Sequence, residues 1–204
     1  MIKIENVETY GWEPAIRGMR NPKNSWDKSD SNDKTLGPRD LNLAHTLAKA
    51  GPVHGKFRRM ITVCLDITAP LYWWKEFDTY KVGTVVNSTS TMHKLHSRPL
   101  TLDDFSHEHI SSDVIPALKH VIDEINYARL KFKDTGNKDY WWHMIQLLPS
   151  SYNQKRTVQL NYEVLANIYN YRYNHKLDEW REFCNWIETL PYAADLIIGG
   201  DLNG

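Results

Sequence analysis

Cysteine is nearly absent: Cys64 and Cys184 are the only two in 204 residues. Two thiols cannot build a disulfide framework, and no Cys-x-x-Cys pair is present to hold zinc or run redox exchange. A reducing, cytoplasmic setting is expected. Net charge is lacking too, because 25 basic residues balance 25 acidic ones. No overall field then draws the chain to nucleic acid or an anionic membrane, and neither is expected as a partner. Long apolar runs are missing as well. Stretches such as Ile61 to Leu65 fall far short of the ~20 residues of a membrane-spanning helix, and the first residues show no basic segment followed by an apolar one. The chain reads as soluble and unexported. Internal repeats, a Walker motif, Gly-x-Gly-x-x-Gly, His-Glu-x-x-His and Gly-x-Ser-x-Gly are also absent, which sets aside solenoids and several common enzyme classes.

Aromatic residues are abundant. Eight Trp, eleven Tyr and five Phe include the adjacent pairs Trp73-Trp74 and Trp141-Trp142. Such rings suit cores, subunit contacts and flat ligands alike. The length is that of one core, so a single domain over residues 1–204 is expected.

Periodicity outlines the elements. Ile2, Ile4 and Val7 alternate with polar residues, predicting a strand over residues 1–7, and a helical turn with Pro14 near its start follows, with Ala15, Ile16 and Met19 as one apolar face. Residues 21–40 are rich in Asn, Ser, Asp, Lys, Gly and Pro, and read as a long loop that docks through Trp26 and Leu36. Asp40 is the expected cap of a short helix presenting Leu41, Ala44, Leu47 and Ala48. The segment 56–67 is predicted as the central strand, and the spacing of Leu71, Trp74 and Phe77 predicts a helix from Pro70 to about Lys81. Further helices are predicted over residues 111–133, 140–148, 161–171 and 177–189, with a short strand over 156–160.

Chemistry-bearing residues are scattered. His107-Glu108-His109 carries metal-ligand types, but side chains one apart point to different faces, so no metal site is expected there. The run Thr84-Val85-Val86-Asn87-Ser88-Thr89-Ser90-Thr91 gathers hydroxyls and amides in one loop. Composition alone leaves two readings of it, turn residues satisfying their own backbone or a surface that hydrogen-bonds a ligand.

A family likeness bears on that choice. His54, the strand ending at Ala69-Pro70, the helix Tyr72-Trp73-Trp74-Lys75-Glu76-Phe77-Asp78-Thr79-Tyr80-Lys81, and Val82-Gly83-Thr84 before the polar run resemble the core of the flavin-dependent thymidylate synthases. Leu148-Pro149, Asn161 heading a helix, and Glu179-Trp180-Arg181 stand in the order of that family's later motifs. The signature R-H-R-x-x-S-x-N-E-x-S-x-R is degenerate. Thr79-Tyr80-Lys81 replace R-H-R, Lys75-Glu76 replace a preceding Arg-Gln, Asn87 and Ser90 match with one residue inserted, Ser88 occupies the Glu position and Met92 that of the final Arg. Tyr162-Glu163 follow Asn161 where an arginine belongs.

The resemblance implies an α/β fold with a central sheet and flanking helices, assembled as a homotetramer whose pockets draw on several subunits. It implies flavin-dependent methylation of a deoxyuridine nucleotide, with FAD as cofactor and methylene-tetrahydrofolate and NADPH as co-substrates. By the same resemblance, Ser88 and Ser90 sit beside the pyrimidine. Lys75, Glu76, Asn87, Arg172 and Arg181 bind the nucleotide, and His54, Tyr80, Lys81 and Asn161 contact flavin. Arginine's planar fork grips phosphate where lysine is a point charge, so the lost arginines imply altered phosphate recognition. A nucleotide-binding protein without the reaction, or a flavoenzyme that modifies pyrimidines differently, are the alternatives.

Overall fold

Local sequence rules account for the first elements. The computed structural model describes residues 2–32 and 35–199; Met1, the first residue of the expected strand, lies outside them. Strand β1 spans Lys3–Tyr10. Gly11 follows at φ +84°, and a Cβ there would lie 1.9 Å from the Met60 carbonyl oxygen, so glycine alone fits. Helix α1, Trp12–Arg20, carries Pro14 in its first turn and buries Ala15, Ile16 and Met19, as their spacing predicts.

The long loop docks at one of its two expected anchors, Leu36, which is half-buried and whose amide donates to the Tyr192 hydroxyl at 2.9 Å. It contains two 3-10 turns, Asn21–Lys23 and Trp26–Lys28, and its residues 33 and 34 lie outside the described ones. Trp26 is 52% exposed and donates through Nε1 to Asn21 within the same loop. Helix α2 spans Pro38–Lys49 with Gly37 at the capping position. Asp40 therefore lies inside the first turn and is not the cap. The carboxylate that receives the first-turn amides is Asp30, which accepts from Arg39 N and Asp40 N at 2.9 and 3.0 Å. Asp40 itself turns inward.

The predicted strand over 56–67 is corrected in its first half. Gly55–Met60 is a 3-10 helix, and strand β2 runs Thr62–Pro70. Phe57 and Arg58 are consecutive and both buried, which a strand covered on one face cannot achieve but a three-residue turn can. From Val63 onward, Leu65, Ile67 and Ala69 are buried alternately, at period two. Helix α3 is shorter than predicted, Leu71–Phe77, because Asp78 and Thr79 amides close on the Trp74 and Glu76 carbonyls and the Thr79 hydroxyl caps Glu76 O at 2.7 Å. Within the polar run, Val85–Ser88 forms strand β3, exposed along its length; the β-branched pair Val85-Val86 suits an edge strand. A short helix α4, Thr91–Lys94, follows.

Helix α5, Ile115–Thr135, buries Ile122, Ile125 and Ala128, while Val114 and Leu130 from the same predicted pattern stay exposed. Helix α6 spans Lys138–Leu147, strand β4 Asn153–Asn161, helix α7 Tyr162–Arg172 and helix α8 Asp178–Glu188. A π-helical turn at Ala194–Ile198, which no sequence pattern announced, buries Leu196 and Ile197.

The strands form a sheet in the order β1-β2-β4-β3, giving the chain its mixed α/β character. By its contacts the chain divides into two compact units. The first holds residues 2–3, Ile67–Thr79 and Asn87–Arg156 and has a core of Leu95, Leu100, Phe105, Ile122, Ile125 and Met144. The second holds Ile4–Asp66, Tyr80–Val86 and residues 157–199. Its centre is Tyr162, whose amide donates to Ile61 O at 3.0 Å, whose hydroxyl donates to Pro191 O at 2.8 Å and against whose ring Trp12 packs edge-on. Burial raises the Tyr162 phenol's pKa far above its ordinary value, so it remains a donor. No described helix is long and apolar enough to cross a membrane.

Candidate functional site

Each unit contains a cavity with polar walls. In the second unit the cavity, about 780 Å³, is built around the start of α7. Asn161 ends β4, and its Oδ1 accepts from the amides of Glu163 and Val164 at 3.1 and 3.0 Å, a side-chain cap. With Oδ1 engaged, Nδ2 lies toward Gly83, where a Cβ would come within 2.8 Å of it. Gly83 has φ +75°, so any other residue is strained there and also collides with Asn161. Gly83→Ala is expected to cost roughly 1–2 kcal/mol. In combination with Asn161→Ala, which removes the cap, the loss is expected to be smaller than the sum of the two single losses. Chemical denaturation of the three variants measures this; strict additivity would mean that the two residues do not touch.

The same cavity carries two arginines. Arg58 is buried and donates to the carbonyls of Gly55 and Leu196 at 3.3 and 3.1 Å, so it braces the turn and the π-helical segment. Arg59 is exposed at its rim and pairs with Glu163, its Nη2 donating to Oε1 at 3.1 Å while Nε meets Oε2. Asn167, Tyr171 and Tyr173 complete the wall. Amides, a guanidinium and exposed phenol rings together suit a flat heteroaromatic ligand with an anionic group.

In the first unit a cavity of about 600 Å³ is lined by Thr89, Ser90, Lys94, Arg98, Tyr152 and Lys155, among others. The segment after β3 is pinned to β4: Thr89 N donates to Lys155 O at 2.9 Å and Gln154 Nε2 donates to Thr89 O at 2.6 Å. Ser90 Oγ accepts from His93 N at 2.9 Å, capping α4. Arg98 is committed to Asp104, whose carboxyl burial would raise; hydrogen bonds from Arg98 and the Thr101 amide outweigh that and hold it below its ordinary value. Lys3, Lys94 and Lys155 are the cavity's further cationic lining residues, and Asp103 and Glu108 line it as well. Burial, then Asp104, raise the Tyr152 phenol, which stays a hydrogen-bond donor. Among the described residues no group of three His, Cys, Asp or Glu is placed to hold a metal ion.

No protein family's sequence profile matches the chain, and no curated protein does. Solved structures do match. Thymidylate synthase X from Helicobacter pylori, with FAD and dUMP, overlays at TM-score 0.75 over 97% of each chain with 14% identity. A second structure of that enzyme with the same ligands gives TM-score 0.72, 14% identity and coverage of 97% of this chain and 99% of that one. The UMP/dUMP methylase PolB from Streptomyces cacaoi, bound to 5-Br UMP, gives TM-score 0.67 and 13% identity over 98% of this chain and 95% of its own. The fold is that of the flavin-dependent thymidylate synthases.

Residues expected from the resemblance to that fold are distributed unevenly. Of the flavin contacts, Asn161 lines the second unit's cavity. Lys81 is exposed beside the lining residue Val82, His54 is exposed at the head of the 3-10 helix, and neither lines the cavity. Tyr80 is half-buried, accepting from Arg172 Nε at 2.9 Å and packing edge-on against Trp180. Arg172 is seated structurally, its guanidinium 4.7 Å from the Trp180 ring and Nη1 3.0 Å from His175 Nε2. Arg181 is tied to the start of α8 through the carbonyls of His175 and Lys176, at 2.7 and 3.1 Å, and through Asp178.

In the first unit, Ser90 alone of the expected residues lines the cavity. Lys75 and Glu76 lie on α3, the first exposed and the second half-buried, and Asn87 and Ser88 are exposed on β3. Sequence reasoning passed over Lys155 and Lys94 in one cavity and Arg59, Glu163 and Asn167 in the other, while Thr89 belongs to the polar run it had singled out. Lys155 stands just before the strand predicted over 156–160 and carried no signal there. Arg59 and Glu163, 104 residues apart, carried none.

Proposed function

We propose that this chain is a flavin-dependent methylase of a uridine nucleotide, with flavin in the second unit's cavity and nucleotide in the first unit's. The observation that carries the reading is the overlay, over nearly the whole chain, with two enzymes whose structures hold dUMP or a bromo-UMP. The second cavity suits a flavin by its own chemistry: Gly83 leaves space that a Cβ would fill, Asn161 presents an amide N–H there, and Arg59 offers a cation for a phosphate. A bound flavin, once reduced, supplies the hydride that completes the transferred carbon as a methyl group.

The chain's own work is positioning and charge, because the resemblance calls for no protein nucleophile. Lys94 and Lys155 attract the nucleotide phosphate, Ser90 lies beside the pyrimidine, and the Tyr152 phenol donates a hydrogen bond. Methylene-tetrahydrofolate as carbon donor, NADPH as reductant and a homotetramer with pockets shared between copies complete the reading. His54, Tyr80, Lys81, Lys75, Glu76, Asn87 and Ser88 then act in the assembled pockets. Arg172 and Arg181 reach the nucleotide only by exchanging their present partners.

The visible spectrum of the purified protein, light scattering, and tritium release from the pyrimidine 5-position of dUMP and UMP test this. Flavin bands, a tetramer at micromolar concentration and tritium release dependent on folate, reductant and flavin are expected. A protein that takes up no flavin defeats the flavin site, a monomer defeats shared pockets, and nucleotide binding without tritium release defeats the methylase.

A further inference from the structure

The charge balance of the second unit's cavity has an internal competitor. Arg59 is its one solvent-facing guanidinium among the lining residues, with 61% of its side chain exposed, and it is the group a ligand phosphate would seek. Its fork is engaged at two nitrogens by the two oxygens of Glu163. Glu163 is the more enclosed partner, 20% exposed, and is set in the first turn of α7. A carboxylate there neutralises Arg59 and also the positive end of an eleven-residue helix. Both features that would attract a phosphate are thus satisfied from within the chain.

Resting on the reading of this cavity as the flavin site, we propose that Glu163 is a specificity-determining residue that competes with the ligand's phosphate for Arg59. Phosphate-bearing flavin binds by exchange, with Arg59 passing from Glu163 to the phosphate. The ring system is held independently by the Asn161 amide and the tyrosine faces. Glu163 thereby weakens selection for the phosphorylated part of the ligand without affecting the ring.

Fluorescence titration of riboflavin and FMN into wild type, Glu163→Gln and Arg59→Ala/Glu163→Gln tests the exchange, since glutamine keeps the shape and removes the charge. FMN is expected to bind Glu163→Gln about tenfold more tightly than wild type, the scale of a charge-assisted contact set free. Riboflavin affinity is expected to stay the same, and the gain for FMN to vanish in the double variant. Unchanged or weaker FMN binding by Glu163→Gln overturns the proposal, as does an equal gain for riboflavin. If no flavin binds any of the proteins, the flavin reading itself fails and inorganic pyrophosphate becomes the probe. Calorimetry showing roughly tenfold tighter pyrophosphate binding by Glu163→Gln then supports the exchange at Arg59, and equal binding overturns it.

Discussion

Asp40→Ala is expected to destabilise the second unit by about 3–5 kcal/mol, because it leaves a buried guanidinium without its counter-charge. Asp40 is fully buried and Arg20 nearly so. Arg20 Nε donates to Asp40 Oδ1 at 2.6 Å, while Oδ2 accepts from the hydroxyls of Ser29 and Ser31 at 2.7 and 2.6 Å and from the amides of Asp30 and Ser31, each at 3.1 Å. One carboxylate thus gathers α1, α2 and the loop between them. Losing it strands Arg20 and several loop donors together.

Burial pushes the Asp40 pKa up, but hydrogen bonds from Ser31, Ser29 and Arg20 prevail and hold it below the ordinary 3.8. A carboxyl with a depressed folded-state pKa stabilises fully above its unfolded value, and the contribution is lost as pH falls below 3.8 through the folded value. Asp40→Asn, which cannot titrate, is expected to show a shallower loss of stability in that acid range than wild type. Urea unfolding followed by circular dichroism at neutral pH and down to about pH 2 measures both effects. An alanine variant within about 1 kcal/mol of wild type would show that the loop is held by other contacts.

In the first unit, Trp74→Ala is expected to cost about 3–5 kcal/mol. Trp74 has no exposed surface. It packs edge-on against Trp73 and Phe77 at 4.9 and 5.2 Å, donates through Nε1 to Gln154 O at 3.0 Å, and carries the Arg156 guanidinium 4.2 Å from its ring. Arg156 in turn donates to Asp78 at 2.8 Å, so the indole and this arginine hold the C-terminal half of α3 against β4. Trp74→Phe keeps much of the apolar area and loses the N–H, so a smaller cost, about 1–2 kcal/mol, is expected. The difference between the two variants in denaturant unfolding separates packing from the hydrogen bond. Equal losses would mean that the bond to Gln154, rather than the ring, holds the helix. Because Lys155 lies between the two β4 residues that Trp74 contacts, the alanine variant is also expected to bind uridine nucleotides more weakly.

Elements whose cause lies within a few residues were legible in the sequence alone. Pro14 near a helix start, the apolar face of α1, the helix ranges around α5 and α8, and the strand character of residues 61–67 in β2 all follow from spacing, which depends only on near neighbours. The resemblance of the motif order, with Leu148-Pro149 and Asn161 in place, implied the fold that the overlay shows. Tertiary structure decided whatever depends on a distant partner. Phe57 and Arg58 became a turn because both are buried together, and Arg58 reaches Leu196, 138 residues away. Asp40 faces Arg20 and the serines instead of capping its own helix, and Arg172 settles on Trp180 and Tyr80 instead of standing open. The sequence shows that Arg59 and Glu163 are charged, but only the folded chain brings them together at one cavity. A charge's role depends on which opposite charge the fold brings beside it, and no local pattern encodes that choice.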